Sequence, residues 1–103
     1  MTETPLLPDD CTDMAEVRAG VDATDQELLE LLARRYGYMR AAARIKTDRS
    51  SVRDEARKAQ VIRNAETRAE AMRLPSSDIR DLWDALVESS IAYELTEWDR
   101  LRS

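Results

Sequence analysis

Three cations in the first half of the chain, Arg18, Arg35 and Lys46, and one acid near its end, Glu94, have the spacing that could do chemistry. On a helix, the 17 residues from Arg18 to Arg35 turn through about 1700°, roughly 20° short of whole turns. The 11 residues from Arg35 to Lys46 overshoot whole turns by about 20°, so all three side chains share one face. Arg35 and Lys46, with Cα atoms ~16 Å apart, are close enough for long side chains to converge on one small anion. Arg18, roughly 25 Å from Arg35, is too far to join them within one chain, but it could reach the site of a second, antiparallel chain. The plainer alternative is that the three cations lay their stems on apolar surface and keep their heads in water.

Glu94 sits inside an apolar stripe: Ile79, Leu82, Trp83, Leu86, Val87, Ile91, Leu95, Trp98 and Leu101 recur at steps of three and four. A carboxyl among such residues is driven toward its neutral form, and neighbouring cations favour the charged one. Neutral, it could donate a hydrogen bond; ionised, it could only accept. The plainer reading is an acid paired with an arginine as structural glue. Trp83 and Trp98 read as core residues, Cys11 as structural or incidental, and the charge run RDEARK (53–58) as a solvated helix start.

The elements that must position these residues are helices. With 103 residues, 2 Gly, 3 Pro, no Phe and 36% charged residues, the chain suits one all-α domain. Residues 1–11, with Pro5 and Pro8, read as a flexible arm before a helical domain over 12–103. Thr12 or Asp13 caps a first helix running to about Lys46, with Glu16 completing a capping box. Its apolar positions are Met14, Val17, Val21, Leu28, Leu31, Leu32, Met39 and Ile45, and Gly20 and Gly37 suggest close packing. Such a helix is ~50 Å long, too long for a solitary small globule, and suits a bundle of two protomers. TDRSSV (47–52) is a break, and a second helix over about 53–73 carries a thin stripe of Ala56, Ala59, Ile62, Ala65, Ala69 and Met72. LPSSD (74–78) is the next break, with Ser76 or Ser77 capping a third helix. Short connections imply antiparallel hairpins.

The net charge of −5 argues against a nucleic-acid partner. One cysteine excludes an intramolecular disulfide, and with no histidine a conventional zinc site is not expected. No apolar run is long enough for a membrane span and no secretory leader is recognisable, so the expected location is the cytoplasm.

Three segments together resemble the all-helical chorismate mutase family, which includes the isochorismate pyruvate lyases. They are RAGVDATDQELLELLARRYGYMRAAARIK (18–46), VRDEARK (52–58) and SSIAYELTEW (89–98), while DCTDMAEVR (10–18) looks like the lyase branch in particular. The resemblance implies an intertwined helical homodimer, a small dianionic substrate, no metal and no cofactor, and a place in aromatic amino-acid biosynthesis. It implies that Arg35 and Lys46 serve the site of their own chain and that Arg18 enters from the other. Arg57 would complete the cationic clamp, Asp54 would line the site near the substrate hydroxyl, and Ser90 would bind a carboxylate. Glu94 matches the position that hydrogen-bonds the substrate's ether oxygen.

Those roles suit a pericyclic reaction, which needs no nucleophile but does need a compact conformer held while charge grows on the ether oxygen. Many mutases of the family carry a glutamate one residue after the matched arginine, where this chain has Lys58. Many bacterial members and the lyases have Gln at the position of Glu94. VRD-x-x-R and Glu94 lean toward the mutase, with isochorismate pyruvate lyase or dual activity as the alternative. An amino-substituted chorismate is a further substrate candidate, and a non-catalytic helical module is the reading from another class.

Overall fold

The computed structural model describes residues 5–103, and within them the regular structure is entirely helical. Helix α1 covers Met14–Ile45, α2 Glu55–Ala71 and α3 Ser76–Leu101, with short 3-10 turns at Pro8–Asp10 and Arg49–Ser51. The chain divides into two compact units, residues 1–35 and 36–103, the division falling within α1. Of the expected N-terminal arm, residues 1–4 lie outside the described residues. No described helix is long and apolar enough to cross a membrane.

In the first unit, the Asp13 side chain accepts from the Glu16 N–H at 2.8 Å, which makes Asp13 the cap of α1. The Glu16 carboxylate reaches back one residue further than a standard capping box, accepting from the Thr12 N–H at 3.0 Å and its hydroxyl at 2.9 Å. These bonds, the one from the Thr12 backbone foremost, hold the Glu16 carboxyl below its ordinary range. Along α1, Val17, Val21, Leu28 and Leu31 form an apolar stripe that is exposed in the chain by itself. The close packing expected at the glycines is not found. A methyl group on Gly20 would make an ordinary contact at 3.9 Å, and one on Gly37 would meet only the movable end of Arg40 at 3.3 Å.

The second unit is built on the α2–α3 hairpin. Val52, Val87 and Ile91 are buried together, with Val61, Leu95 and Trp98 packed around them. The α2 face turned inward is Lys58, Val61, Ile62, Ala65 and Ala69; Ala56, Ala59 and Met72 are exposed. This corrects the expected stripe. Val61 and Ile62 have more surface to bury than alanine methyls, so they set the rotation of the helix. In α3, Leu82 and Leu101 are exposed, at opposite ends of an otherwise covered stripe.

α2 ends in a Schellman motif: the Leu74 N–H bonds the Ala69 carbonyl at 2.8 Å, and the Arg73 N–H bonds that of Glu70 at 3.1 Å. Arg73 carries the left-handed φ of 60° that the motif requires. The cap expected at Ser76 or Ser77 is also corrected. α3 begins at Ser76 after Pro75, with no side-chain cap, and the Pro75 carbonyl opens its ladder by accepting from the Ile79 N–H at 3.0 Å. Proline's fixed φ prepares the helical turn without a hydroxyl.

Candidate functional site

Lys46 is the first residue beyond α1, and its N–H closes the helix on the Ala42 carbonyl at 2.9 Å. Its ammonium donates to Glu94 Oε2 at 2.8 Å. Glu94 is only 4% exposed, so the acid in the apolar stripe of α3 is buried, and a lysine is its partner. Burial of a carboxylate is costly unless the charge is met, and Lys46 meets it. One turn earlier on the same helix, Ser90 is buried and its hydroxyl donates to the Leu86 carbonyl at 2.7 Å.

The 3-10 turn after Lys46 is fixed at both ends. Asp48 caps it through the Ser50 N–H at 3.0 Å, and Arg49 makes a two-pronged pair with Asp99 of α3 at 2.9 and 3.1 Å. Val52 then drops into the core. Between α1 and α3, the rings of Tyr36 and Tyr93 meet edge to face with centroids 5.0 Å apart. The hydroxyls of Tyr36 and Ser89 are 2.7 Å apart, and Arg40 donates to the Tyr93 hydroxyl at 3.0 Å. These contacts join the last turns of α1 to α3.

Asp54 caps α2, accepting from the Arg57 N–H at 3.0 Å, and the Arg57 guanidinium donates to Gln60 at 2.8 Å. The second unit therefore brings Lys46, Glu94 and Ser90 onto the adjoining ends of α1 and α3, and places Asp54 and Arg57 in the first turn of α2. Arg18 and Arg35 belong to α1 in the first unit. The charge run 53–58 is exposed through Arg57, as expected of a solvated helix start, and only its last residue, Lys58, is half-buried. Lys58 donates to Glu88 at 2.9 Å and pairs with Asp84 at 3.2 Å, and Arg53 grips Glu88 at 2.8 and 3.1 Å. Bonds from Arg53 and then Lys58 pull the Glu88 carboxyl from 4.5 down to about 2, and the bonds to Glu88 and Asp84 raise Lys58. Lys58 is thus a strut between α2 and α3.

Two residues that sequence reasoning passed over as site components also converge here. The Trp98 indole N–H donates to the Lys46 carbonyl at 3.1 Å, and Arg102 Nη2 donates to the same oxygen at 2.7 Å. Their signal in the sequence is the spacing 94, 98, 102, one helical turn each. A groove of about 500 Å³ lined by Leu6, Leu7, Val17 and Val21 lies in the first unit and holds none of the expected site residues.

Residues 17–95 match the family model described as chorismate mutase type II. The chain belongs to the type II chorismate mutase family. Among curated proteins, this type II chorismate mutase family member is similar to the isochorismate pyruvate lyase of Pseudomonas aeruginosa. The two are 27% identical over 95 residues, which cover 92% of this chain and 94% of that protein. The family match contains Arg18, Arg35, Lys46, Asp54, Arg57, Ser90 and Glu94, and stops short of Trp98 and Arg102.

Proposed function

We propose that this family member is a chorismate mutase, rearranging chorismate to prephenate in a cationic cleft shared between two copies of the chain. The observation that carries the reading is the buried pair of Lys46 and Glu94 at 2.8 Å. An ammonium has three N–H donors, so Lys46 can keep Glu94 and still donate to an ether oxygen as its C–O bond stretches. Arg35 and Arg57 bind the two carboxylates of the substrate, which arginine can hold with two parallel bonds. Ser90 assists on a carboxylate, and Asp54 faces the ring hydroxyl. Arg18 comes from the second copy, and the exposed stripe of Val17, Val21, Leu28 and Leu31 gives that copy an apolar face to cover. Holding the compact conformer accounts for the remaining rate gain, and neither metal nor cofactor takes part.

A second reading is elimination of pyruvate from isochorismate. It is favoured by the name of the Pseudomonas relative and by Lys58 standing where many mutases have glutamate. Both reactions need the same cationic cradle, so the purified protein should be assayed with chorismate and isochorismate side by side at pH 5 and pH 8. Prephenate as the dominant product supports the mutase. Salicylate and pyruvate as the dominant products would replace it with the lyase. Neither product from either substrate would overturn both readings and direct the search to amino-substituted analogues and then to a binding module.

A further inference from the structure

Three groups spaced one helical turn apart, Glu94 and Trp98 in α3 and Arg102 at its C-cap, hold a single residue, Lys46. Glu94 takes its ammonium, while Trp98 Nε1 and Arg102 Nη2 both donate to its carbonyl oxygen. The Arg102 guanidinium stacks over the Trp98 ring, 4.2 Å from its centroid, and Nη1 donates to the Ala43 carbonyl at 3.0 Å and to the Trp98 carbonyl at 3.3 Å. The last carbonyls of a helix have no partners within it, and water ordinarily takes them. Here a cation takes two of them, those of Ala43 and, at 3.5 Å, Arg44, at the negative end of α1, where a positive charge is favoured. Both strong bonds to Lys46 land on the one residue whose side chain enters the pair with Glu94. Without them its backbone would fray with the helix end, and its ammonium would move with it.

We propose that Trp98 and Arg102 are positioning residues for Lys46: they fix the backbone from which its ammonium reaches into the site. The proposal rests on Lys46 acting on the substrate as set out above. A small displacement of such a group costs turnover far more than binding, because the interaction is strongest in the transition state. Trp98→Phe removes the N–H and keeps most of the ring packing, and Arg102→Ala removes the guanidinium. Each should lower kcat at least roughly tenfold while KM moves less than about threefold. Arg102→Lys should recover part of the loss, since an ammonium can still meet one carbonyl.

A merely structural role is separated in two ways. Val61→Ala, which trims the same core from the α2 side and removes no bond to Lys46, should lower Tm comparably and leave kcat near that of the parent. The chain has only two lysines, Lys46 and Lys58, so their ammonium NMR signals can be told apart with one Lys58→Arg spectrum. Trp98→Phe and Arg102→Ala should speed proton exchange at Lys46 and leave Lys58 unchanged. A kcat that falls no further than in Val61→Ala at matched loss of Tm, with the Lys46 signal unaltered, would overturn the proposal. Full turnover by Lys46→Met would instead overturn the functional reading, and the lysine signals would still decide whether the clamp exists.

Discussion

At the scale of single residues, the pairing of Lys46 with Glu94 gathers the chemistry into one contact of 2.8 Å. Glu94 accepts from the Lys46 ammonium and holds it in place. In the shared-cleft reading, Glu94→Ala, which leaves Lys46 without its buried partner, should lower kcat at least roughly tenfold, and Glu94→Gln, which can still accept from the ammonium, should retain part of the activity. A Glu94→Ala variant with the turnover of the parent would remove Glu94 from that role. The placement of Glu94 was legible because one stripe of α3 fixes its face, and its burial follows from that alone. Its partner was not legible. Choosing Lys46 over an arginine depends on how the end of α1 meets α3, which periodicity within one helix does not encode. The same holds for Lys58, whose two acids lie on another helix.

Among the elements, the helices followed from spacing to within a residue or two, and the breaks followed from TDRSSV (47–52) and LPSSD (74–78). What spacing missed was the rotation of α2. Alanine marks a face weakly, and Val61 with Ile62 decides it. The end of α2 offers a direct test of local backbone chemistry. Arg73 holds a left-handed φ of 60°, a conformation that costs an L-residue roughly 1–2 kcal/mol and costs glycine nothing comparable. Part of that gain is returned as unfolded-state entropy, so Arg73→Gly should stabilise the protein by about 0.5–1 kcal/mol in urea denaturation. Catalysis should be unchanged, since the turn contributes none of the site residues. The Glu88 cluster carries the pH dependence of the hairpin. Its folded carboxyl is depressed from 4.5 to about 2, so its contribution is complete above about pH 4.5 and is lost as pH falls through about 2. Thermal midpoints measured across that window should fall for the parent and fall less steeply for Glu88→Gln.

For the molecule as a whole, the buried apolar side chains among the described residues are Ala43, Val52, Ala69, Val87 and Ile91, a small set for 103 residues. Val17, Val21, Leu28 and Leu31 leave a row of hydrocarbon exposed along α1. In the shared-cleft reading this face closes on a second copy, so folding and association are one equilibrium. Tm should then rise with protein concentration. Mixing two inactive variants, Arg18→Ala and Lys46→Ala, should restore activity, because a mixed pair contains one site with both residues intact. A concentration-independent Tm and no recovery on mixing would leave each chain working alone.

The stacking of Arg102 on Trp98 also gives the molecule an optical reporter. An indole whose N–H is bonded to the Lys46 carbonyl and whose face is covered by a guanidinium emits from a polar, ordered setting. Any ligand that draws on Lys46 alters the field at that ring. With Trp83 replaced by Phe, the emission of Trp98 becomes an unlabelled signal for occupancy, available for stopped-flow work before any product assay is chosen.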